Sequence, residues 1–192
     1  MKQLLIVVVV MSLISCNSFK KEEHVNTVQN KENDDETIQI NTPSNNNFGR
    51  ATMLIHKPVS DVFDAFINPE KTTKFWFTKS TGALIEGNSV LWVWEMYNVS
   101  VPVKVKKIIS NKRIEIEWGK GENLSSVEWT FKAIDENKTF VTITNSGLQG
   151  EGNQLINAVR DSTGGFTLVL AGLKAFLEHN IQLNLIKDKS PQ

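Results

Sequence analysis

The sequence predicts an α+β fold in which one curved antiparallel β-sheet of about seven strands wraps around a long C-terminal helix. Three observations predict it. Residues 83–144 contain six runs of alternating apolar and polar residues, separated by turn signals. A further short strand and two short helical segments precede them. After them, Phe166, Val169, Leu170, Leu173, Phe176, Leu177 and Ile181 fall at offsets 0, 3, 4, 7, 10, 11 and 15, an apolar stripe at helical spacing. Strict alternation means that each strand is covered on one face and wet on the other, and the stripe needs such a cover.

The elements follow in order. Thr52, Leu54 and His56 alternate with Met53 and Ile55 in the first strand. Pro58 suits the start of a helix with Ser60 and Asp61 in its first turn, and Val62, Phe63 and Phe66 give it an apolar face. Asn68-Pro69 breaks it, and a second short helix is expected over Glu70–Phe77. Strands are then expected at Ala83–Ile85, Ser89–Tyr97, Val99–Ile109, around Ile114–Trp118, Val127–Ala133 and Val141–Ile143. In the third of these runs Lys107 falls where an apolar residue belongs, and a β-bulge near Lys106-Lys107 would return Ile108 to the inner face. Ser162 or Thr163 can cap the long helix. Gly172 in its middle costs ~1 kcal/mol against alanine. It points either to close approach of helix and sheet or to room for a ligand.

The N-terminus reads as an address. Lys2 is followed by the apolar run Leu4–Ile14, whose 11 residues would span only ~16 Å as helix, too short to cross a bilayer but suited to a signal peptide. Leu13-Ile14-Ser15-Cys16 resembles a bacterial lipobox, which implies cleavage after residue 15 and lipidation of Cys16, the chain's only cysteine. Residues 17–47 carry eight asparagines and nine charges with no apolar period, a composition expected to form a disordered tether of ~30 Å root-mean-square span. The expected organisation is a signal peptide at 1–15, lipidated Cys16 and tether through 48, a domain at 49–187 and a tail at 188–192. The expected location is the bacterial cell envelope, anchored to a membrane through lipid, with the domain outside the cytoplasm.

With 21 basic and 21 acidic residues the formal charge is zero, which argues against a nucleic-acid partner. One cysteine excludes an intrachain disulfide. His24, His56 and His179 share no metal-ligand spacing, so neither metal nor cofactor is expected. There is no nucleophile elbow and no phosphate loop. Glu95 and Glu151 would serve as general bases only if they faced the interior. Arg160 and Asp161 are expected to serve the start of the long helix, where Gly164 and Gly165 would offer amides to an anion or simply a capped end. No catalytic residue is assigned.

Several passages, in this order and spacing, resemble the START-like helix-grip superfamily, also called SRPBCC. Within it they are similar to homologues of the activator of the 90-kDa heat-shock protein's ATPase. They are Ile55–Phe66, Pro69–Trp76, Arg113–Trp118, Val127–Phe131 with Thr139–Thr144, and Gly165–Glu178. The resemblance implies a helix-grip fold with an apolar cavity between sheet and long helix. It implies little about chemistry, because the superfamily includes carriers, cyclases and members with no assigned activity. An exported lipoprotein would not meet a cytosolic chaperone, so the resemblance is carried for the fold.

The residues expected to line that cavity are Phe63, Phe66, Trp76, Trp92, Trp94, Trp118, Trp129, Phe131, Phe166, Leu170 and Leu173. Core packing is the plain alternative for each, and the two readings overlap because a cavity wall is also core. Buried indole N–H groups would need partners. The leading expectation is a lipid-anchored module that binds a small hydrophobic ligand. A cyclase- or hydrolase-like enzyme using an interior carboxylate and an envelope protein-interaction module are the alternatives.

Overall fold

The computed structural model describes residues 47–190. The expected signal peptide, Cys16 and nearly all of the tether lie outside the described residues. The described chain opens with strand β1 (Phe48–Ile55) and helices α1 (Val59–Ile67) and α2 (Pro69–Thr72). Strands β2 (Lys79–Ser80), β3 (Ser89–Trp94), β4 (Val99–Ile109), β5 (Arg113–Trp118), β6 (Ser125–Asp135) and β7 (Lys138–Ser146) follow. The chain ends in the 27-residue helix α3 (Asn153–His179) and the single turn α4 (Leu185–Lys189). The strands form one antiparallel sheet in the order β1-β7-β6-β5-β4-β3-β2, so the first strand docks beside the last. None of the described helices is long and apolar enough to cross a membrane.

Alternation places the inner faces as expected. Val90, Trp92 and Trp94 of β3, Val101, Val103 and Val105 of β4, and Ile114, Ile116 and Trp118 of β5 are all buried. So are Val127, Trp129 and Phe131 of β6, and Val141 and Ile143 of β7. The bulge forms where the lysine pair breaks the pattern: Val105 pairs with Ile116 and Lys107 with Glu115, leaving Lys106 as the extra residue. Ile108 thereby packs against the core again.

Four expectations are corrected. The second helix stops at Thr72 and not at Phe77. Phe75, Trp76 and Phe77 are all buried, and three consecutive side chains cannot share one face of a helix that turns 100° per residue, so the chain leaves the helix to bury them. The strand after it is Lys79–Ser80; Ala83–Ile85 instead docks on α1, where the Leu84 amide donates to the Ile67 carbonyl at 3.1 Å.

The long helix begins at Asn153, nine residues before the expected cap Ser162. Its extra turns are mostly wet, with Ile156 exposed, so no apolar stripe marks them. Arg160, Asp161, Gly164 and Gly165 therefore lie inside the helix, and the two glycines present no terminal amides to an anion. Gly172 marks a close approach, but to the segment after α2 and not to the sheet. A Cβ there would stand 3.1 Å from the Phe75 carbonyl oxygen and 3.2 Å from its Cβ.

Candidate functional site

The interior between sheet and α3 is an aromatic shell with Trp76 at its centre. Trp76 lies in the turn after α2, on neither helix nor strand. Thr72 pins that turn: its hydroxyl donates to the carbonyls of Ala65 at 2.7 Å and Asn68 at 2.9 Å, and its own carbonyl accepts from the Trp76 amide at 3.1 Å. From there the indole enters the grip. Its ring centroid stands 4.8 Å from Trp92, 6.4 Å from Trp94, 6.1 Å from Trp118 and 6.0 Å from Trp129 on the sheet. Phe166 of α3 is 5.8 Å away on the other side.

The shell continues towards α1. Phe63 meets Phe131 at 5.2 Å, and Phe66 meets Phe131, Trp129 and Phe75 at 5.8, 5.9 and 5.7 Å. Leu170 and Leu173 complete the helix side and are fully buried. All eleven residues expected to line a cavity thus belong to one buried cluster. Phe75 and Phe77 join them, the latter stacked on Trp92 at 4.7 Å.

Polar atoms interrupt this shell at the end where β6 begins and β7 ends. Trp118 Nε1 donates to Ser125 Oγ at 2.8 Å. Asn145 is wholly buried and its Nδ2 donates to Ser162 Oγ of α3 at 3.1 Å. Trp129 Nε1 and Asn145 Oδ1 are buried without a hydrogen-bond partner among the described residues. The sequence reading did not single out Ser125 or Asn145, although both fall on inward positions of their strands, where a polar residue is itself a signal. Asp161, beside Ser162, is also buried, with Arg160 Nε 3.6 Å from its carboxylate.

A second polar group closes the opposite end. Glu178 accepts from the His56 amide at 2.7 Å and from Lys174 Nζ at 2.6 Å, and lies 3.3 Å from His56 Nδ1. Lys174 also donates to the Leu54 carbonyl at 2.8 Å. Burial pushes the Glu178 carboxyl up, but the His56 amide, Lys174 and the His56 ring outweigh it and hold its pKa below the usual carboxylate value. A carboxylate held ionised by three partners ties α3 to β1 and is a poor proton donor. Glu95 lies on the surface, 2.5 Å from Lys79, and Glu151 is exposed.

The short helix α4 lies over one side of the grip. Ile186 packs on the core, and the Tyr97 hydroxyl donates to the Ile186 carbonyl. Burial raises the pKa of that hydroxyl.

Comparison with known proteins agrees with this geometry. A family model described as activator of Hsp90 ATPase homolog 1-like protein matches residues 56–178. No curated protein matches the chain. Among solved structures, protein SSP2350 from Staphylococcus saprophyticus is 25% identical and has a TM-score of 0.61; the match covers 71% of this chain and 96% of that one. The Aha1 dimer from Colwellia psychrerythraea is 18% identical at a TM-score of 0.59, covering 69% of this chain and 96% of that one. CalU16 from Micromonospora echinospora is 15% identical at 0.55, covering 73% and 87%. The last two likenesses concern the fold alone.

Proposed function

The chain belongs to the activator of Hsp90 ATPase homolog 1-like family, and from that premise we propose that its domain binds a small hydrophobic molecule between the sheet and α3. The observation that supports this reading is Trp76. The centre of the grip is filled from a turn and not from the sheet or the helix. A side chain on a turn can leave without unzipping a strand or unwinding a helix. Its departure would uncover a slot walled by Trp92, Trp94, Trp118, Trp129 and Phe166, and a flat apolar ligand would replace one set of ring contacts with another. The ligand therefore competes with Trp76, and affinity is reduced by the work of moving it.

The same reading places the protein at the bacterial envelope, held by lipid on Cys16. There the ligand would come from the membrane or from the space beside it. The domain's place outside the cytoplasm is also why a cytosolic chaperone is not proposed as its partner.

The test uses the full-length chain in lipid nanodiscs, titrated with the neutral fluorophore N-phenyl-1-naphthylamine against empty nanodiscs. Saturable binding at one site per chain is expected, with energy transfer from tryptophan. Trp76→Leu should tighten binding by roughly tenfold, because no plug has to move. Its cost in stability should stay below the ~3–5 kcal/mol of truncation to alanine. Absence of saturable binding to the wild-type chain would end the proposal.

A further inference from the structure

We infer that the grip carries a polar subsite for one neutral hydroxyl group, so that its ligand is an aromatic or alicyclic alcohol and not a hydrocarbon or a carboxylic acid. The inference rests on the ligand-binding reading above and specifies its chemical class. Two buried atoms carry it: Trp129 Nε1 is a donor and Asn145 Oδ1 an acceptor, and neither has a partner among the described residues. Trp129 is 1% exposed and Asn145 not at all, so bulk water does not satisfy them. A buried polar group left unpaired is destabilising, so a ligand group that pairs it gains affinity.

The register brings the two residues together. Trp129 pairs with Ile143 and Val127 with Asn145, so Trp129 and Asn145 are diagonal neighbours on the same face of β6 and β7. They meet consecutive turns of α3. Asn145 bonds Ser162, and the ring of Trp129 lies 6.5 Å from that of Phe166, four residues further along the same helix face. A hydroxyl is the simplest group that accepts from an indole N–H and donates to an amide oxygen at once.

Charge decides against an acid. Asp161 is buried next to Ser162 and brings negative charge to this end of the grip. Arg160 is largely exposed and stands 3.6 Å away, and Lys189 of α4 also interacts with Asp161. A ligand carboxylate would meet the Asn145 oxygen and the Asp161 field, and the cations at that end, Arg160 and Lys189, are exposed and already face Asp161. An uncharged hydroxyl avoids both costs.

Three probes of similar shape separate the outcomes: 2-naphthol, 2-methylnaphthalene and 2-naphthoate, measured by equilibrium dialysis against the full-length chain in nanodiscs. 2-Naphthol is expected to bind at least tenfold more tightly than either of the others. Trp129→Phe keeps an aromatic ring and removes the N–H. It should reduce the preference for 2-naphthol over 2-methylnaphthalene to less than threefold. The preference is a ratio within one protein, so a modest loss of stability cancels.

Equal binding of the alcohol and the hydrocarbon would overturn the subsite and leave the hydrophobic site standing. So would an unchanged preference in Trp129→Phe, since the N–H would then be spent on the face of Phe166. Tighter binding of 2-naphthoate would overturn it as well. If no probe binds, the ligand-binding reading itself fails.

Discussion

Glu178 shows how one side chain fixes the end of an element. Its carboxylate gathers the His56 amide, the His56 ring and Lys174, and through Lys174 the Leu54 carbonyl. The folded-state pKa is depressed. Such a group adds stability above its unfolded pKa of about 4.3, and that stability is lost as pH falls through the folded value. Glu178→Gln should therefore unfold more easily at neutral pH, by about 1–2 kcal/mol for a partly buried charge-assisted network. The two proteins should converge as the pH drops below about 4. Denaturant melts at pH 7 and pH 3 measure this, and a gap that stays constant over that range would refute it. Little of the cluster was legible in the sequence. Lys174 and Glu178 lie off the apolar stripe, and their partner His56 is more than a hundred residues away. Ser125 and Asn145 were legible in principle, because alternation gave their direction and only their polarity went unread.

Between elements, two glycines set how closely α3 can dock. A Cβ on Gly49 of β1 would stand 2.5 Å from Ser162 Oγ, 2.6 Å from its Cβ and 3.0 Å from the Thr163 amide nitrogen. Helix and strand would have to part, and overpacking of this kind costs about 1–3 kcal/mol. At Gly172 the nearest atoms are at 3.1 Å and 3.2 Å, a smaller conflict, and alanine also gains ~1 kcal/mol of helix propensity. Gly49→Ala should thus lower stability by about 1–3 kcal/mol, while Gly172→Ala should lie within about 1 kcal/mol of wild type. Urea unfolding of both decides it, and a harmless Gly49→Ala would remove the docking argument. Elements whose burial repeats with their own period were legible, down to the bulge at Lys106. The first turns of α3 were not, because residues 153–160 bury too little to show a stripe. The turn holding Trp76 was not legible, because local spacing does not reveal which consecutive side chains a fold will bury. Close approach was legible at Gly172 as one of two options, but its partner Phe75 was not, since the contact is made in space and not in sequence.

For the whole chain, the shell of Trp76 and the two unpaired polar atoms describe what the domain would hold, and the lipid proposed on Cys16 would decide where. The first described residue is tied down: the Asn47 carbonyl accepts from the Leu148 amide at 3.3 Å, and Phe48 pairs with Ser146. A lipid anchor on Cys16 would need no contribution from the domain's core, so anchoring and folding should be separable. Cys16→Ser removes the only sulfhydryl that could carry lipid. Expressed in a bacterium with labelled palmitate, the wild-type chain should incorporate label and partition with detergent on phase separation. Two or three acyl chains, at ~0.8 kcal/mol per buried CH₂, hold a protein on a membrane where one would not. The serine variant should lose the label and move to the aqueous phase. Its melting transition and its naphthol selectivity should be unchanged, because neither Trp129 nor Asn145 depends on the anchor. A wild-type chain that stays aqueous and unlabelled would remove the membrane from the proposal and leave the hydroxyl subsite to be judged by its own ratio.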